Sequence, residues 1–246
     1  MTLKNPILQA RLLGQTEEGL VQVPGLECRV QAALVAPLLS LAEAAADAGF
    51  HLAVASSFRS FDRQLAIWNA KARGQRPVLD DEGRPLDLKS LSEEELVRAI
   101  MRWSALPGGS RHHWGTDIDV YDAGAMPEGY KLQLTTAECE GDGLFAPFHQ
   151  WLSDVLARGE SHGFYRPYGQ DMGGVAPEPW HLSYGPLSIG YQRAFSVELL
   201  AAGLQAVDLA LKDSVLAQLP ELFSLYMQPP LPVDADQWIN TSGAAQ

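Results

Sequence analysis

Two short segments carry the side chains that are best suited to metal chemistry. The first, SRHHWGTDID, places Asp119 seven residues after His112. The second, EPWH, places Glu178 three residues before His181. A catalytic zinc ion usually takes three His or acidic ligands from the protein and leaves a fourth position for water. We therefore predict one zinc site per chain, held by His112, Asp119 and His181.

Glu178 adds a carboxylate beyond these three ligands. Pro179 follows it and disfavours a helix, so Glu178 and His181 can both reach one site from an extended segment. A carboxylate in that position can take the proton of a water molecule that attacks a substrate. Glu178 is therefore a candidate proton acceptor beside the metal.

The segment TDIDVY, residues 116–121, predicts the strand that carries the first ligands. Its polar and apolar residues alternate with period two, which is typical of a half-buried strand. Asp117 and Asp119 then lie on the same face. Two neighbouring carboxylates on one face are unfavourable unless they are solvated, paired or bound to a cation.

The flanking sequence predicts the elements that position these segments. Leu52–Ala55 is a short apolar run that favours a buried strand, and Pro179 favours an edge strand for the segment EPWHLSY. Helices are predicted over residues 32–50, after the cap Ser60, over 90–105 with the cap Ser92, over 147–164, and twice between 188 and about 223 with a break near Pro220. Strands scattered among helices without βαβ alternation predict a single α+β domain.

The order of these motifs resembles the D-alanyl-D-alanine carboxypeptidase family of zinc peptidases (LAS-type metallopeptidases), within the wider group that includes lysostaphin-type enzymes and hedgehog domains. The family pattern is Ser-x-His-x6-Asp followed by Glu-x-x-His, and the matching residues here are Ser110, His112, Asp119, Glu178 and His181. The upstream segment SSFRS, followed by Gln64, and the segment WLSDVLARGESHGFYRPYG also resemble the family. The match covers about residues 50–185, with a helical extension over about 186–227 and a loose tail over 228–246.

The resemblance implies an α+β fold in which a small antiparallel sheet, flanked by helices, carries the zinc site. It implies that Arg59 stabilises the scissile carbonyl or the substrate carboxylate, and that Ser110 and Gln64 contact the substrate. Trp180 is a further candidate for a substrate subsite. One departure is Asp117, which stands where the family has a small residue. The spacing favours Asp119 as the ligand and leaves Asp117 as a partner of a ligand histidine.

The activity that the resemblance implies is that of a carboxypeptidase, with Glu178 as its general base, that hydrolyses the C-terminal D-amino-acid bond of small peptidoglycan-type peptides. A cell-wall endopeptidase that cuts between L-Ala and D-Glu remains an alternative, as does a zinc-binding module without catalysis. The presence of Glu178 argues against the module, because a structural zinc site has no use for a general base.

Composition limits the partners. The formal net charge of −12 disfavours nucleic acid and anionic membranes, and a carboxylate substrate would need a local cation such as Arg59. The sequence contains no run of about 18 apolar residues, which a membrane-spanning helix would need. The first residues also lack a signal-peptide pattern, so a cytoplasmic location is expected. Cys28 and Cys139 are expected to be free thiols, and His113 an exposed neighbour of a ligand.

Overall fold

The computed structural model describes residues 5–242. A four-stranded antiparallel sheet with the strand order β3-β4-β6-β5 lies at its centre, and a two-stranded hairpin precedes it. The strands are β1 (Leu20–Gln22), β2 (Arg29–Gln31), β3 (Leu52–Ser56), β4 (Asp117–Asp122), β5 (Phe164–Tyr165) and β6 (His181–Tyr184). The predicted α+β class with a small antiparallel sheet is confirmed.

Helices surround the central sheet. They are α1 (Pro6–Leu12), α2 (Val35–Asp47), α3 (Phe61–Ala72), α4 (Glu93–Met101), α5 (Thr136–Cys139), α6 (Ala146–Ala157), α7 (Gly185–Ala194), α8 (Val197–Gln205), α9 (Lys212–Tyr226) and α10 (Ala235–Ser242). Ser60 caps α3 by accepting a hydrogen bond from the Arg63 amide, and Ser92 forms a capping box with Glu95 at the start of α4, as the sequence predicts.

Three details of the sequence prediction are wrong. One is the number of helices between residue 188 and about 223, where α7, α8 and α9 lie instead of two helices. Strand β6 is not an edge strand, because it pairs with β4 on one side and with β5 on the other. Pro179 is compatible with this interior position since the strand begins two residues later, at His181. Pro220 does not break a helix but lies inside α9, where the buried residues Leu219 and Leu222 on either side of it hold the helix against its neighbours.

Two apolar clusters form the core, and one of them packs on the central sheet. One face of the sheet, through Ile118, Val120 and Leu182, packs against α2 and α6. The second cluster joins α3 and α4 to α8 and α9. The face of β4 that carries Asp117 and Asp119 is therefore turned away from the first cluster. No helix among residues 5–242 is long and apolar enough to cross a lipid bilayer.

Candidate metal centre and active site

The three predicted ligands come from three adjoining elements. His112 lies in a single 3-10 turn, Arg111–Trp114, while Asp119 and His181 are direct partners across β4 and β6. Gly115 ends the turn with φ of +68°, and a Cβ at that position would collide with the side chain of Leu20. Glycine is therefore required for the tight connection that brings His112 back over the strand.

The ligand atoms of these residues are close enough to share one ion. One ligand atom from each of His112, Asp119 and His181 can be chosen so that all lie within 4.8 Å of one another. His112 Nε2 is 3.3 Å from Asp119 Oδ2, and His181 Nδ1 is 3.4 Å from Asp119 Oδ1. Asp119 Oδ1 is buried without a hydrogen-bond partner. Because an unpaired buried carboxylate oxygen is unfavourable, this donor set fits a bound cation.

Asp117 orients both histidines from behind. Its backbone carbonyl lies 3.2 Å from His112 Nδ1, and its Oδ1 lies 3.0 Å from His181 Nε2. Since both oxygens can only accept hydrogen bonds, these contacts place the protons on His112 Nδ1 and His181 Nε2. The opposite nitrogens, His112 Nε2 and His181 Nδ1, then direct their lone pairs at Asp119 and the metal position.

A buried arginine balances the charge of Asp117. Arg111 Nε donates to Asp117 Oδ1 over 2.8 Å, and the rest of its guanidinium donates to neutral oxygens of Tyr165, Ser183 and Gln192. Burial alone would raise the pKa of Asp117, but Arg111 and the hydrogen bond from His181 hold it below its usual range. Asp117 therefore stays ionised inside the protein.

The protein supplies an excess of negative charge around His181. Burial opposes protonation of this ring, yet its hydrogen bonds with Asp117 and Glu178 and the nearby Asp119 raise its pKa to about 10. The same three carboxylates that favour a proton on the ring favour a metal cation at its Nδ1. Metal binding would then release that proton.

Glu178 lies beside the predicted metal position. Its Oε2 is 3.1 Å from His181 Nδ1, and its backbone amide donates to the carbonyl of Tyr168 over 2.9 Å. The Tyr168 ring packs edge-on against the His181 ring, with the ring centres 5.1 Å apart. The turn between Glu178 and β6 thus holds a carboxylate next to the ligands without making it a member of the three-residue set.

Arg59 approaches the site from the end of β3. Its guanidinium donates to Gln64 Oε1 and to Ser56 Oγ, both over 3.0 Å. Its backbone amide donates to the carbonyl of His112, and its own carbonyl accepts from His113 Nδ1. Arg59 has no carboxylate within 4 Å among residues 5–242, so its charge is directed at the site rather than used in an ion pair.

A cavity of about 90 Å³ joins these groups. Its lining includes the predicted residues Arg59, Ser110, His112, Asp119, Glu178 and His181. Gln64 and Trp180 are fully or almost fully buried and do not belong to this lining. Gln64 instead positions Arg59, because its amide oxygen accepts from the guanidinium while its NH₂ group donates to the Ala105 carbonyl. Substrate contact by Gln64 and Trp180 stays a prediction.

The remaining wall comes from residues that the sequence did not single out. Met101, Trp103 and Tyr168 line the cavity. Met101 is the last residue of α4, and Trp103 and Tyr168 lie in turns, where no motif spacing marks them. His113 was predicted to be exposed, and this is wrong: its side chain is buried because its two nitrogens bridge the Arg59 carbonyl and the Gly108 amide. Cys28 and Cys139 are free and buried, as predicted.

Known proteins resemble this chain in sequence and fold. An uncharacterised protein of Haemophilus influenzae is 44% identical over 98 residues, which is 39% of this chain and 67% of the relative. A D-alanyl-D-alanine carboxypeptidase of Enterococcus faecalis is 25% identical over 150 residues, which is 60% of this chain but only 45% of that enzyme. A crystal structure of a variant of the vancomycin resistance D,D-pentapeptidase VanY in complex with Zn(II) aligns with 80% of this chain and 88% of its own, at 22% identity and a TM-score of 0.45.

The family comparison covers the segment that holds the site. The family described as VanY, D-alanyl-D-alanine carboxypeptidase, matches residues 27–187, a stretch that contains all three ligand residues, Glu178 and Arg59. Because this match spans more than half of the chain, the protein belongs to the VanY D-alanyl-D-alanine carboxypeptidase family.

Proposed function

We propose that this protein is a zinc-dependent carboxypeptidase that removes the C-terminal D-amino acid from short peptides of the peptidoglycan type. Family membership supports the class of reaction. The observation that supports the finer proposal is the position of Arg59. Its guanidinium forms no ion pair within residues 5–242 and lines the same 90 Å³ cavity as the ligand residues and Glu178. A carboxypeptidase needs such a cation to bind the free carboxylate of its substrate.

Zinc suits the donor set of His112, Asp119 and His181, because two imidazoles and one carboxylate form a three-ligand site of the kind that leaves a position open. These three residues would hold the ion, which when bound would supply Lewis-acid chemistry to the peptide carbonyl and to the attacking water. Asp117 keeps the two imidazoles in the required tautomers, as described above.

Glu178 is the proposed proton carrier. Its carboxylate is adjacent to the ligand nitrogen of His181 and is partly open to the cavity. It takes a proton from the attacking water and delivers it to the amine that leaves. The retention of this carboxylate favours an enzyme over a zinc-binding module without catalysis.

Arg59 is the proposed anchor for the substrate's terminal carboxylate. Burial lowers the pKa of its guanidinium, and the negative charges of Asp119 and Glu178 partly offset this effect, so the group remains a cation at neutral pH. A guanidinium can donate two parallel hydrogen bonds to one carboxylate, which fixes the orientation of the substrate end.

The size of the cavity favours a small terminal residue. Its volume of about 90 Å³ is well below the ~300–1,000 Å³ typical of ligand sites, and Met101 and Trp103 form part of its wall. A small C-terminal residue such as alanine suits this space, which favours the carboxypeptidase over the endopeptidase.

The test is a digest of tetrapeptide and pentapeptide stems, each with a free or an amidated C-terminus, followed by mass spectrometry. We expect loss of one terminal D-Ala from the free peptides and little cleavage of the amidated ones. Comparison of the two stem lengths identifies whether the bond cut is of the L,D or the D,D type. Equal cleavage of free and amidated peptides, or a cut at the L-Ala–D-Glu bond, would replace this proposal by the endopeptidase.

A further inference from the structure

A second and larger cavity lies beside the segment that carries Glu178. Its volume is about 660 Å³, and its wall includes Pro177 and Pro179, the two chain neighbours of Glu178. Arg166 and His149 form another part of the wall. Binding sites for small ligands typically measure about 300–1,000 Å³. The cavity is therefore large enough for a peptide side chain.

Arg166 is a cation without an acidic partner. Its two terminal nitrogens donate to Ser153 Oγ over 2.6 Å and to the His149 carbonyl over 3.2 Å, while its Nε is buried and unpaired. A guanidinium has five N–H donors, so three remain free. No carboxylate of residues 5–242 lies within 4 Å of it, unlike Arg111, which is paired with Asp117. Burial lowers the pKa of Arg166 to about 10, as expected for a poorly compensated cation.

The neighbours of Arg166 do not neutralise it. His149 is 3% exposed, and both of its ring nitrogens lack a hydrogen-bond partner. Burial and the charge of Arg166 lower the pKa of His149 to about 3, so the ring is neutral. Burial likewise raises the pKa of Cys139 to about 12, so the thiol is neutral. Glu140 is the acidic group of the lining; it is exposed, and its charge offsets only part of the effect of burial on the pKa of Arg166.

Buried polar groups in folded proteins are nearly always paired. Here Arg166 Nε and both nitrogens of His149 are unpaired within one cavity wall. The chemistry that would satisfy a guanidinium beside a neutral imidazole is that of an anion with several acceptor oxygens. A carboxylate has this form and matches the guanidinium fork.

We propose that this cavity is a subsite for an acidic side chain of the peptide substrate, on the amino-terminal side of the scissile bond, with Arg166 as its binding cation. The inference rests on the proposed function. Arg59 already accounts for the terminal carboxylate, so a second unpaired guanidinium calls for a second carboxylate. Pro177 and Pro179 line this cavity, and Glu178 between them lines the cavity that holds the ligand residues, so the two cavities flank the same segment.

The experiment compares peptides that differ in one residue. Each peptide ends in D-Ala and carries either Glu or its neutral isostere Gln at one position upstream of the scissile bond, and each position is tested in turn. We expect the Glu peptide to have a KM at least about tenfold lower at one position, because a hydrogen bond to a charged group is worth ~1.5–3 kcal/mol. In the Arg166→Gln variant this preference should disappear, while the KM of the Gln peptide stays within about twofold.

A matched control is Arg158→Gln. Arg158 follows α6, the helix that carries His149, but it is exposed and paired with Glu160. This variant should keep the preference for Glu. Arg166→Lys covers the case in which Arg166→Gln fails to fold, since it keeps the charge but not the fork, and it should retain only part of the preference. Glu140→Gln should lower the KM of the Glu peptide further, because it removes a like charge from the rim.

Binding separates this proposal from the proposed function. Calorimetry with the zinc-loaded Glu178→Gln variant measures the affinity of the same peptides without turnover. Tighter binding of a Glu peptide that depends on Arg166 would support the subsite even if no peptide were cleaved. Equal binding and equal KM for Glu and Gln peptides at every position, or a preference that persists in Arg166→Gln, would overturn the subsite while cleavage still supported the carboxypeptidase.

Discussion

At the scale of single residues, Asp117 determines how the two ligand histidines are oriented. At this position the sequence departs from the family pattern, because it has an acidic residue where the family usually has a small one. In the structure the backbone carbonyl of Asp117 accepts a hydrogen bond from His112, and its carboxylate accepts one from His181. Spacing in the sequence was sufficient to predict the ligand triad and Glu178. The sequence also indicated Asp117 as a partner of a ligand histidine. It could not predict that Asp117 contacts both histidines or that Arg111 balances its charge, because these contacts arise from tertiary packing.

We expect Asp117→Asn to lower zinc affinity by about 10–100-fold, which is typical when a residue that orients a metal ligand is changed. Folding should also be destabilised by about 3–5 kcal/mol, because Arg111 would become a buried charge without its counterion. Competition with a zinc chelator measures the affinity, and urea unfolding measures the stability. Asp122→Asn, at the far end of the same strand, is the control and should keep zinc affinity. An unchanged affinity in Asp117→Asn would show that Asp117 does not position the ligands.

At the scale of elements, the sequence predicted those with strong local signals. The helix caps Ser60 and Ser92 and the alternation in 116–121 are local, and the corresponding elements were confirmed. The hairpin of β1 and β2 and the interior position of β6 depend on pairing between distant segments, which local patterns do not reveal. Met101, Trp103 and Tyr168, which line the small cavity, were missed for the same reason.

The turn that carries His112 offers a test at this scale. Gly115→Ala should destabilise the protein by more than 1 kcal/mol, because the left-handed backbone is strained for alanine and the new Cβ meets Leu20. Zinc affinity should fall as well, since His112 precedes this glycine. Gly129→Ala is the control, because Gly129 also has a positive φ but has open space around its Cβ position. If Gly129→Ala alone lowered zinc affinity, the turn would not be the element that sets the site.

At the scale of the whole molecule, one buried cluster packs on the apolar face of the sheet, and a second joins α3 and α4 to α8 and α9. The site lies on the polar face of β4, with a small and a large cavity beside the Glu178 segment. In a chain with a net charge of −12, acidic side chains outnumber basic ones, so a cation without an acidic partner is unexpected. Arg59 and Arg166 line these cavities without a carboxylate within 4 Å among residues 5–242, so the substrate is expected to bring its own negative charges.

The dependence of folding stability on pH in the acid range tests the burial of His149. Burial holds the pKa of His149 at about 3 in the folded protein, against about 6.5 when unfolded. As the pH falls, His149 therefore binds a proton in the unfolded state before it does so in the folded state. The stability that the folded protein has with a neutral His149 is present above about pH 6.5 and is lost as the pH falls from about 6.5 toward 3. Urea unfolding at several pH values should show a shallower loss of stability over this window in His149→Gln than in the wild type. Parallel pH profiles for the two proteins would contradict the burial of a neutral His149.

The most direct test of the central claim measures bound zinc and hydrolysis together in the wild type, in Glu178→Gln and in His112→Ala. We predict one zinc per chain in the wild type and in Glu178→Gln, with hydrolysis of the free D-Ala peptide reduced by about 10²–10⁴-fold in Glu178→Gln, the usual contribution of a general base. His112→Ala should lose both zinc and hydrolysis. Zinc retained in full by His112→Ala, or hydrolysis unchanged in Glu178→Gln, would contradict the assignment of the metal centre and its base.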